Sequence, residues 1–385
     1  MDQVLDSLGS GRVFSLFDLV SSFHQIKAHE NTVPLTAFCT PTGLYEWLVM
    51  PQGSSASPGW FVKVINEVIK GSKQVAAYLD DVIVFDSDPI THVQTIRSLF
   101  ERLREHNLKL SPSKARLGAT DANFLGHSIS PAGLRPNAEK VSALINMPMP
   151  TDAKQVRALM GGINYYRKFL PDLSKRLRPV NSLLRKGVKF AFTPVMEKLV
   201  RDTLAELATP PILVFPNWDA VADGSRPFHV YCDACIDGFG AALEQEQEDG
   251  SIKPIAYISR ATLDSERHWT PLDLEAGSIV WALKRLRGYL WGTKFRIFSH
   301  YKALESIRQV GNHNARVQRW LELEYHKGSA NGNADFLSRL AEPATEHDRN
   351  GSTSLNPVED GRIYLTRVCG LKTPSSPIPG VAWVA

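Results

Sequence analysis

Residues 75–85 read VAAYLDDVIVF, a stretch in which apolar residues flank two adjacent aspartates, Asp80 and Asp81. Apolar, β-branched runs on both sides of such a pair predict a strand, a tight turn and a second strand. Asp88-Pro89 then supplies a helix start, and apolar residues recur at helical spacing between Val93 and Leu103. The stretch therefore predicts a β-hairpin that carries two carboxylates at its turn and is followed by a helix.

The two carboxylates at this turn predict a cation site. Adjacent carboxylates repel each other, and the apolar strands remove them from water, so a divalent cation stabilises such a pair. Asp18, which ends the apolar stretch VFSLFD, is the candidate for a third ligand. Magnesium is expected because it prefers hard oxygen ligands, and two such ions can activate a hydroxyl and stabilise a leaving phosphate group. The alternative is an ordinary hairpin turn, in which aspartate is common.

The composition is typical of a globular protein with more than one domain. The chain has 385 residues, of which 43% are hydrophobic and 22% charged, and this length predicts two or three compact units. No apolar run reaches the roughly 18 residues of a membrane span, and the N-terminus lacks a signal-peptide pattern, so an intracellular protein is expected. Cys232 and Cys235 have CxxC spacing without a second pair, which predicts strand residues rather than a zinc site.

Positive charge is concentrated between residues 151 and 200. This window holds eleven Lys or Arg against three Asp or Glu, a net charge of +8, whereas the whole chain carries only +4. Tyr165, Tyr166 and Phe169 lie among these basic residues. Basic and aromatic side chains together favour binding of a polyanion, although a solvated helical face remains the alternative.

The remaining patterns divide the chain into further segments. Residues 131–210 have mostly helical spacing, broken by Pro171 and Pro179, so several short helices are expected. From residue 211 onward, strands alternate with a helix in an α+β pattern with its own core. After residue 341, Pro, Ser, Gly and Thr dominate, which predicts a disordered tail or a linker.

These segments resemble the Pol polyproteins of gypsy-type LTR retrotransposons, over about 340 residues. Five palm motifs of a reverse transcriptase are recognisable in order at residues 14–26, 50–58, 78–81, 108–114 and 124–130. Residues 161–171 resemble the thumb of that family. The motifs of an RNase H domain are recognisable at residues 233–241, 254–260, 275–284 and 328–339.

The resemblance implies an α+β multidomain fold. A reverse-transcriptase palm is expected at residues 1–130, a basic helical thumb and connection at 131–210, an RNase H-like domain at 211–340, and the tail at 341–385. Relatives carry an N-terminal fingers region before the first palm motif, and we expect it to be absent here. The implied activity is RNA-directed DNA synthesis with two Mg²⁺ ions at the polymerase site. The implied partners are an RNA template, a DNA primer, an RNA–DNA hybrid and dNTPs.

The resemblance also implies roles for single residues of the polymerase part. Asp18, Asp80 and Asp81 would bind the metals. The ring of Phe23 would exclude a ribose 2′-hydroxyl, although an ordinary core phenylalanine is the alternative. Gln52 would contact the incoming nucleotide, and Lys114 would lie near its triphosphate; a loop glutamine and a surface lysine are the respective alternatives. The residues expected to contact nucleic acid in the basic segment are Tyr165, Tyr166, Arg167 and Lys168.

In the RNase H-like part, the implied metal-binding carboxylates are Asp233, Glu275 and Asp335. Two departures from the family predict impaired cleavage. His300 replaces an aspartate, and imidazole is a poor ligand for magnesium. Only seven residues separate Trp320 from Gly328, where the family has a longer stretch that includes a strand.

Two other functions remain open at this point. A catalytically inactive retroelement remnant could retain binding of nucleic acid through the basic segment. The second alternative is a host-adopted interaction protein that neither synthesises nor cleaves nucleic acid, and no residue pattern favours it. The intact Asp18, Asp80 and Asp81 favour descent from an active polymerase, and a separate chain that supplies fingers could complement this one.

Overall fold

The computed structural model describes residues 1–299 and the short stretches 355–357 and 363–365. The chain divides into two compact units, Met1–Asn137 and Ala138–Ala385. The sequence analysis drew the first boundary at residue 130 and separated the helical segment from the RNase H-like domain. In the structure, the helical segment from Ala138 onward and the sheet that follows it cluster in one unit. His300, Asp335, the Trp320–Gly328 stretch and most of the expected tail lie outside the described residues.

The first unit is built around a sheet with strand order β4-β5-β1-β6. Short 3₁₀ helices occupy Ser7–Ser10, Ser22–Gln25, Glu30–Thr36 and Pro112–Lys114. The other elements, in chain order, are α1 (Asp2–Asp6), β1 (Val13–Asp18), β2 (Phe38–Thr40), β3 (Gly43–Tyr45), α2 (Ser57–Ile69), β4 (Val75–Tyr78), β5 (Asp81–Asp86), α3 (Pro89–Glu105), β6 (Arg116–Ala119), β7 (Ala122–Phe124), β8 (His127–Ser130) and β9 (Gly133–Pro136).

Apolar side chains on one face of this sheet form the core of the first unit. Phe17 of β1 and Val82 of β5 are buried side by side, since β1 and β5 pair antiparallel with these two residues in register. Helices α2 and α3 cover them with Phe61, Ile65 and Leu99, which are also buried. The 3.6-residue period of each helix places such residues on one face. The two strands that end in carboxylates are therefore held by a packed core.

The predicted hairpin is present as β4 and β5, joined by a turn at Leu79 and Asp80. Leu79 has a left-handed backbone with φ of 54°, a conformation that suits a tight hairpin turn. The predicted start of α3 is also present. The side chain of Asp88 accepts hydrogen bonds from the amides of Ile90 and Thr91, and Pro89 occupies the first turn.

The second unit contains a helical segment followed by a sheet with strand order β12-β11-β10-β13. Short 3₁₀ helices lie at Arg167–Phe169 and Glu266–His268. None of the helices in the described part of the chain has the length and apolar character to cross a membrane. The other elements are α4 (Ala138–Ile145), α5 (Ala153–Tyr165), α6 (Leu173–Arg176), α7 (Arg178–Ser182), α8 (Pro194–Ala208), α9 (Trp218–Ala222), β10 (Phe228–Cys235), β11 (Gly238–Glu246), β12 (Ile252–Ala261), α10 (Pro271–Arg285), α11 (Arg287–Leu290), β13 (Phe295–Ser299), β14 (Leu355–Pro357) and β15 (Ile363–Leu365).

The core of the second unit lies between its sheet and α10. Val230 of β10, Leu243 of β11 and Ile297 of β13 are fully buried and pack with Ile279 and Ala282 of α10. Strand β10 pairs antiparallel with β11 and parallel with β13. A parallel pair needs a long crossover, and the chain between β11 and β13 supplies it with β12, α10 and α11.

Polar contacts fasten the helical segment to this sheet. The guanidinium of Arg178 donates to the carbonyl oxygen of Asp237 at 2.8 Å and to Thr262 Oγ1 at 3.0 Å. The amide of Ser174 donates to Ser259 Oγ at 3.0 Å, and Ser174 Oγ donates to the Ser259 carbonyl at 3.0 Å. These contacts join residues 59 to 85 positions apart in sequence, which accounts for the clustering of helices and sheet in one unit.

The contacts of Arg178 predict a stability effect. Arg178→Met should lower the free energy of unfolding of the second unit by about 1.5–3 kcal/mol, because it removes charged hydrogen bonds from a guanidinium that is largely buried. Arg185→Met is the matched control. Arg185 is 60% exposed and lies 3.6 Å from Asp264, so its loss should cost at most about 0.5 kcal/mol. Urea unfolding followed by tryptophan fluorescence measures the free energy of unfolding of both variants. Equal losses in the two variants would contradict a stabilising role of the Arg178 contacts.

Candidate active sites

The three predicted carboxylates of the polymerase part lie at one end of the first sheet. Asp18 ends β1 and Asp81 begins β5, and the two residues are directly opposite each other in the antiparallel register. Asp80 occupies the turn before β5, and its carbonyl oxygen accepts a hydrogen bond from the Leu19 amide at 3.0 Å. Opposed residues of an antiparallel pair have Cα atoms about 4.5–5.5 Å apart. Backbone pairing therefore brings Asp18 next to the Asp80-Asp81 pair.

Burial and mutual repulsion perturb this cluster. Burial raises the pKa of Asp81 above its ordinary value, the neighbouring charges of Asp80 and Asp18 raise it further, and Lys114 opposes them. Lys114 Nζ lies 2.9 Å from Asp18 Oδ1 and 3.0 Å from Oδ2. This hydrogen bond is the main cause of a raised Lys114 pKa. The site is thus an anionic cluster that already attracts one cation, the ammonium of Lys114.

The cluster has the chemistry of a site for a hard divalent cation, since carboxylate oxygens crowded together and partly desolvated favour such an ion. Within the described residues, no three His, Cys, Asp or Glu side chains are gathered closely enough to hold a metal as they stand. In this arrangement the Lys114 ammonium contacts both oxygens of Asp18. A metal ion would compete with Lys114 for that carboxylate.

Phe23 and Gln52, the predicted nucleotide-contacting residues, lie on different elements of the first unit. Phe23 belongs to the 3₁₀ helix Ser22–Gln25, is half-buried, and packs edge-to-face against Phe61 with ring centroids 5.6 Å apart. Gln52 is exposed in the turn before α2, next to Gly53, whose φ is 89°. The packing of Phe23 on Phe61 is compatible both with an ordinary core phenylalanine and with a ring that excludes a ribose 2′-hydroxyl, so the role of Phe23 stays a prediction.

Sequence reasoning missed the function of Gln25 in this region. Its carboxamide accepts a hydrogen bond from the Lys109 amide at 2.6 Å and donates to the carbonyl oxygens of Val20 at 2.5 Å and Lys109 at 3.1 Å. These bonds fasten the 3₁₀ helix that carries Phe23 to the segment that precedes Lys114. Only the long-range pairing reveals this, because an isolated glutamine has no distinguishing pattern in sequence.

The second predicted cluster contains Asp233 and Glu275. Asp233 lies near the end of β10, and Glu275 lies on α10, where Ser299 Oγ donates to its Oε2 at 3.4 Å. Burial, and then the charge of Asp233, raises the pKa of Glu275 to about 7. Asp335, the third predicted ligand, lies outside the described residues. Two carboxylates of the predicted set are therefore close enough to interact strongly.

Lys175 is a neighbour of this second cluster that the sequence analysis did not single out. Burial lowers its pKa, but the charges of Cys235, Asp233 and Asp172 outweigh burial and leave the pKa raised. Cys232 is buried and Cys235 half-buried, and both lie in β10 on either side of Asp233. They are strand residues, as the sequence predicted for the CxxC pair.

The basic segment is divided between internal contacts and solvent. Tyr166 is only 3% exposed, and the Arg167 guanidinium donates to the Ser259 carbonyl oxygen. Tyr165 is 43% exposed, and Lys168 is half-exposed. At least seven of the eleven basic side chains between residues 151 and 200 interact with groups of the second unit, namely Arg167, Lys168, Lys175, Arg176, Arg178, Arg185 and Lys198. The charge count of the sequence therefore overstates the charge available to a polyanion.

The Lys114–Asp18 bond predicts how the first cluster responds to metal. Lys114→Met should tighten Mn²⁺ binding about threefold to tenfold in the absence of nucleotide, because it removes a competing positive charge from Asp18. Lys70→Met is the control, since Lys70 is 69% exposed and forms an exposed ion pair with Glu67, three residues earlier in the chain. Titration with Mn²⁺, followed by electron paramagnetic resonance, measures the Mn²⁺ dissociation constant of both variants. Unchanged or weaker binding by Lys114→Met would show that the ammonium does not compete with the metal.

Comparison with known families agrees with this geometry. Residues 2–129 match the family "Reverse transcriptase (RNA-dependent DNA polymerase)", and residues 223–324 match "RNase H-like domain found in reverse transcriptase". Among solved structures, the foamy viral protease–reverse transcriptase dRH in complex with dsDNA superposes with a TM-score of 0.73 at 22% identity, covering 83% of this chain and 56% of that one. The same viral protein with an RNA/DNA hybrid gives 0.72 at 21% identity, covering 90% and 47%. These structures share the fold.

The curated relatives are retrotransposon polyproteins. The "Retrovirus-related Pol polyprotein from transposon 297" of Drosophila melanogaster is 33% identical over 95% of this chain and 35% of its own length. The Pol polyprotein from transposon opus of the same species is 32% identical over 99% and 39%, and the Tf2-3 polyprotein of Schizosaccharomyces pombe is 29% identical over 89% and 26%. The chain thus spans about a third of the length of these relatives. It belongs, as its motifs predicted, to the reverse transcriptase and RNase H-like part of the gypsy-type retrotransposon Pol polyproteins.

Proposed function

We propose that this chain catalyses RNA-directed DNA synthesis by nucleotidyl transfer at Asp18, Asp80 and Asp81. The observation that carries the proposal is the register of β1 against β5, which sets Asp18 opposite Asp81 with Asp80 in the adjoining turn. Two Mg²⁺ ions, when bound, would activate the primer 3′-hydroxyl and stabilise the leaving pyrophosphate. The raised pKa of Asp81 supports a site built to receive positive charge.

The residues of the chain would contribute binding and orientation. Asp18 and Asp81 would orient the reacting groups from a packed pair of strands, which keeps their separation fixed. Lys114 would move from Asp18 to the triphosphate of a dNTP once the carboxylates are neutralised. The ring of Phe23 would exclude a ribose 2′-hydroxyl, and Gln52 would contact the nucleotide from its exposed turn.

The proposed macromolecular partners are an RNA template, a DNA primer and their hybrid. Support comes from the shared fold with a viral enzyme described in complex with dsDNA and with an RNA/DNA hybrid. In the basic segment, Tyr165 and Lys168 have the exposure needed for stacking and phosphate contact. Tyr166 and Arg167 would act from within the unit, by fixing the position of these neighbours.

The central experiment is primer extension on an RNA template with Mg²⁺ and dNTPs. We expect extension by the chain, and a fall of at least about a hundredfold in the double variant Asp80→Asn, Asp81→Asn, because it removes direct metal ligands. The control is Glu101→Gln with Glu105→Gln, which removes two negative charges from exposed positions of α3. If neither the chain nor its variants extend the primer but the hybrid still binds, the protein is a remnant that retains only binding.

The RNase H-like part is proposed to bind two metal ions through Asp233, Glu275 and Asp335 but to cleave RNA poorly, because His300 replaces an aspartate. The variant His300→Asp should cut the RNA strand of a hybrid at least about tenfold faster than the unaltered chain, since a carboxylate replaces a weak ligand. Adding Asp233→Asn should abolish the gain. Equal cleavage by the unaltered chain and by His300→Asp would contradict the proposed impairment.

A further inference from the structure

We propose that Ser15, His92 and Asp86 are positioning residues for the metal-binding carboxylates, an inference that rests on the proposed polymerase site. The three side chains form a hydrogen-bonded chain inside the first unit, at the end of β1 and β5 remote from Asp18 and Asp81. None of the three belongs to a recognised palm ligand set. Their role would be to fix the pairing of the two strands on which those ligands lie.

The geometry of this chain is well defined. His92 Nδ1 lies 2.7 Å from Asp86 Oδ2, and His92 Nε2 lies 2.7 Å from Ser15 Oγ. Ser15 Oγ accepts the amide of Gly118 at 3.0 Å, and Thr95 Oγ1 donates to Asp86 Oδ1 at 3.0 Å. Ser15 is 0% exposed, and Asp86 and His92 are each 2% exposed. Buried polar groups with this many partners form a rigid network.

The roles of the donors and acceptors follow from their chemistry. An ionised Asp86 can only accept, so the proton of the imidazole lies on Nδ1. The other ring nitrogen then accepts from the Ser15 hydroxyl, whose oxygen accepts the Gly118 amide. The arrangement has the order of a serine hydrolase triad. However, the complete burial of Ser15 leaves no room for a substrate, so nucleophilic catalysis does not account for it.

The network joins the two strands that carry Asp18 and Asp81 to α3 and β6. Ser15 lies in β1 three residues before Asp18, and Asp86 ends β5, the strand that begins with Asp81. His92 belongs to α3. Gly118 belongs to β6, shortly after Lys114. Each carboxylate-bearing strand is thus anchored at one end by the network and presents its ligand at the other, about 10–17 Å away at the usual rise per residue.

A directional anchor of this kind has a specific purpose at a metal site. The backbone ladder and the burial of Phe17 and Val82 set the register of β1 and β5, and the network adds directional bonds that tie this pair of strands to α3 and β6. Hydrogen bonds at 2.7–3.0 Å restrict sliding of β1 against β5, and sliding would separate Asp18 from Asp81. Metal affinity responds to such small displacements, since it depends on the groups that orient the ligands.

The test uses Asp86→Asn and Ser15→Ala in the full chain. The asparagine cannot accept from both His92 and Thr95, and the alanine removes one oxygen without adding bulk. Ile129→Ala is the control, because Ile129 is fully buried in β8 of the same unit but does not belong to the core cluster that holds Phe17 and Val82. Three quantities are measured well below each melting temperature, namely the Mn²⁺ dissociation constant, the Mg²⁺ concentration for half-maximal primer extension, and the solvent protection of the His92 imidazole N–H by NMR.

We expect Asp86→Asn to lose the protected imidazole signal and Ser15→Ala to keep it, because Asp86 still accepts from His92 Nδ1 in that variant. Both variants should bind Mn²⁺ about threefold to tenfold more weakly. Ile129→Ala should melt at a lower temperature with an unchanged Mn²⁺ dissociation constant. Extension should need correspondingly more Mg²⁺ in the network variants. The inference is overturned if the network variants have the same Mn²⁺ dissociation constant as the unaltered chain. It is also overturned if the unaltered chain binds Mn²⁺ no more tightly than the double variant Asp80→Asn, Asp81→Asn. Weakened Mn²⁺ binding in a chain that never extends primers would support the positioning role and reject the polymerase function.

Discussion

The antiparallel register between β1 and β5 is the constraint on which the rest of the first unit depends. It places Asp18 opposite Asp81, so that backbone hydrogen bonds bring together like charges that would otherwise repel each other. The apolar face beneath them, with Phe17 and Val82, offsets that repulsion through burial. Lys114 offsets another part of it by pairing with Asp18. The helices behind the sheet are best understood as the means of keeping these strands paired.

In the second unit, basic residues serve two purposes that their sequence does not distinguish. Arg167 and Arg178 donate to backbone carbonyl oxygens of the sheet, and Arg176 pairs with Glu206. Arginine suits this task because its planar fork can satisfy several acceptors at once. Tyr165, by contrast, is 43% exposed while its ring packs edge-to-face on Tyr166. Several basic side chains of the helical segment thus bind groups of the second unit itself, and only the remaining basic side chains are available to bind phosphates.

Much of this arrangement could be predicted from local sequence. The hairpin around Asp80 and the start of α3 at Asp88 have turn and capping signals within a few residues, and both are present. The ordered motifs predicted the family and the order of the domains. Contacts between distant polar side chains could not be predicted, because they leave no periodic pattern. Ser15 and His92 are 77 residues apart, and Gln25 and Lys109 are 84 apart.

The hairpin turn also determines which changes of chain length this protein can accept during evolution. A side chain in a strand changes face with every residue, so one residue inserted between Asp81 and Val82 would turn Val82 outward and move each later side chain of β5 to the opposite face. The β2–β3 hairpin contrasts with it, since nearly all of its side chains are exposed. Insertions and deletions should therefore accumulate among descendants of this gene at residues 38–45 and be purged at residues 78–82.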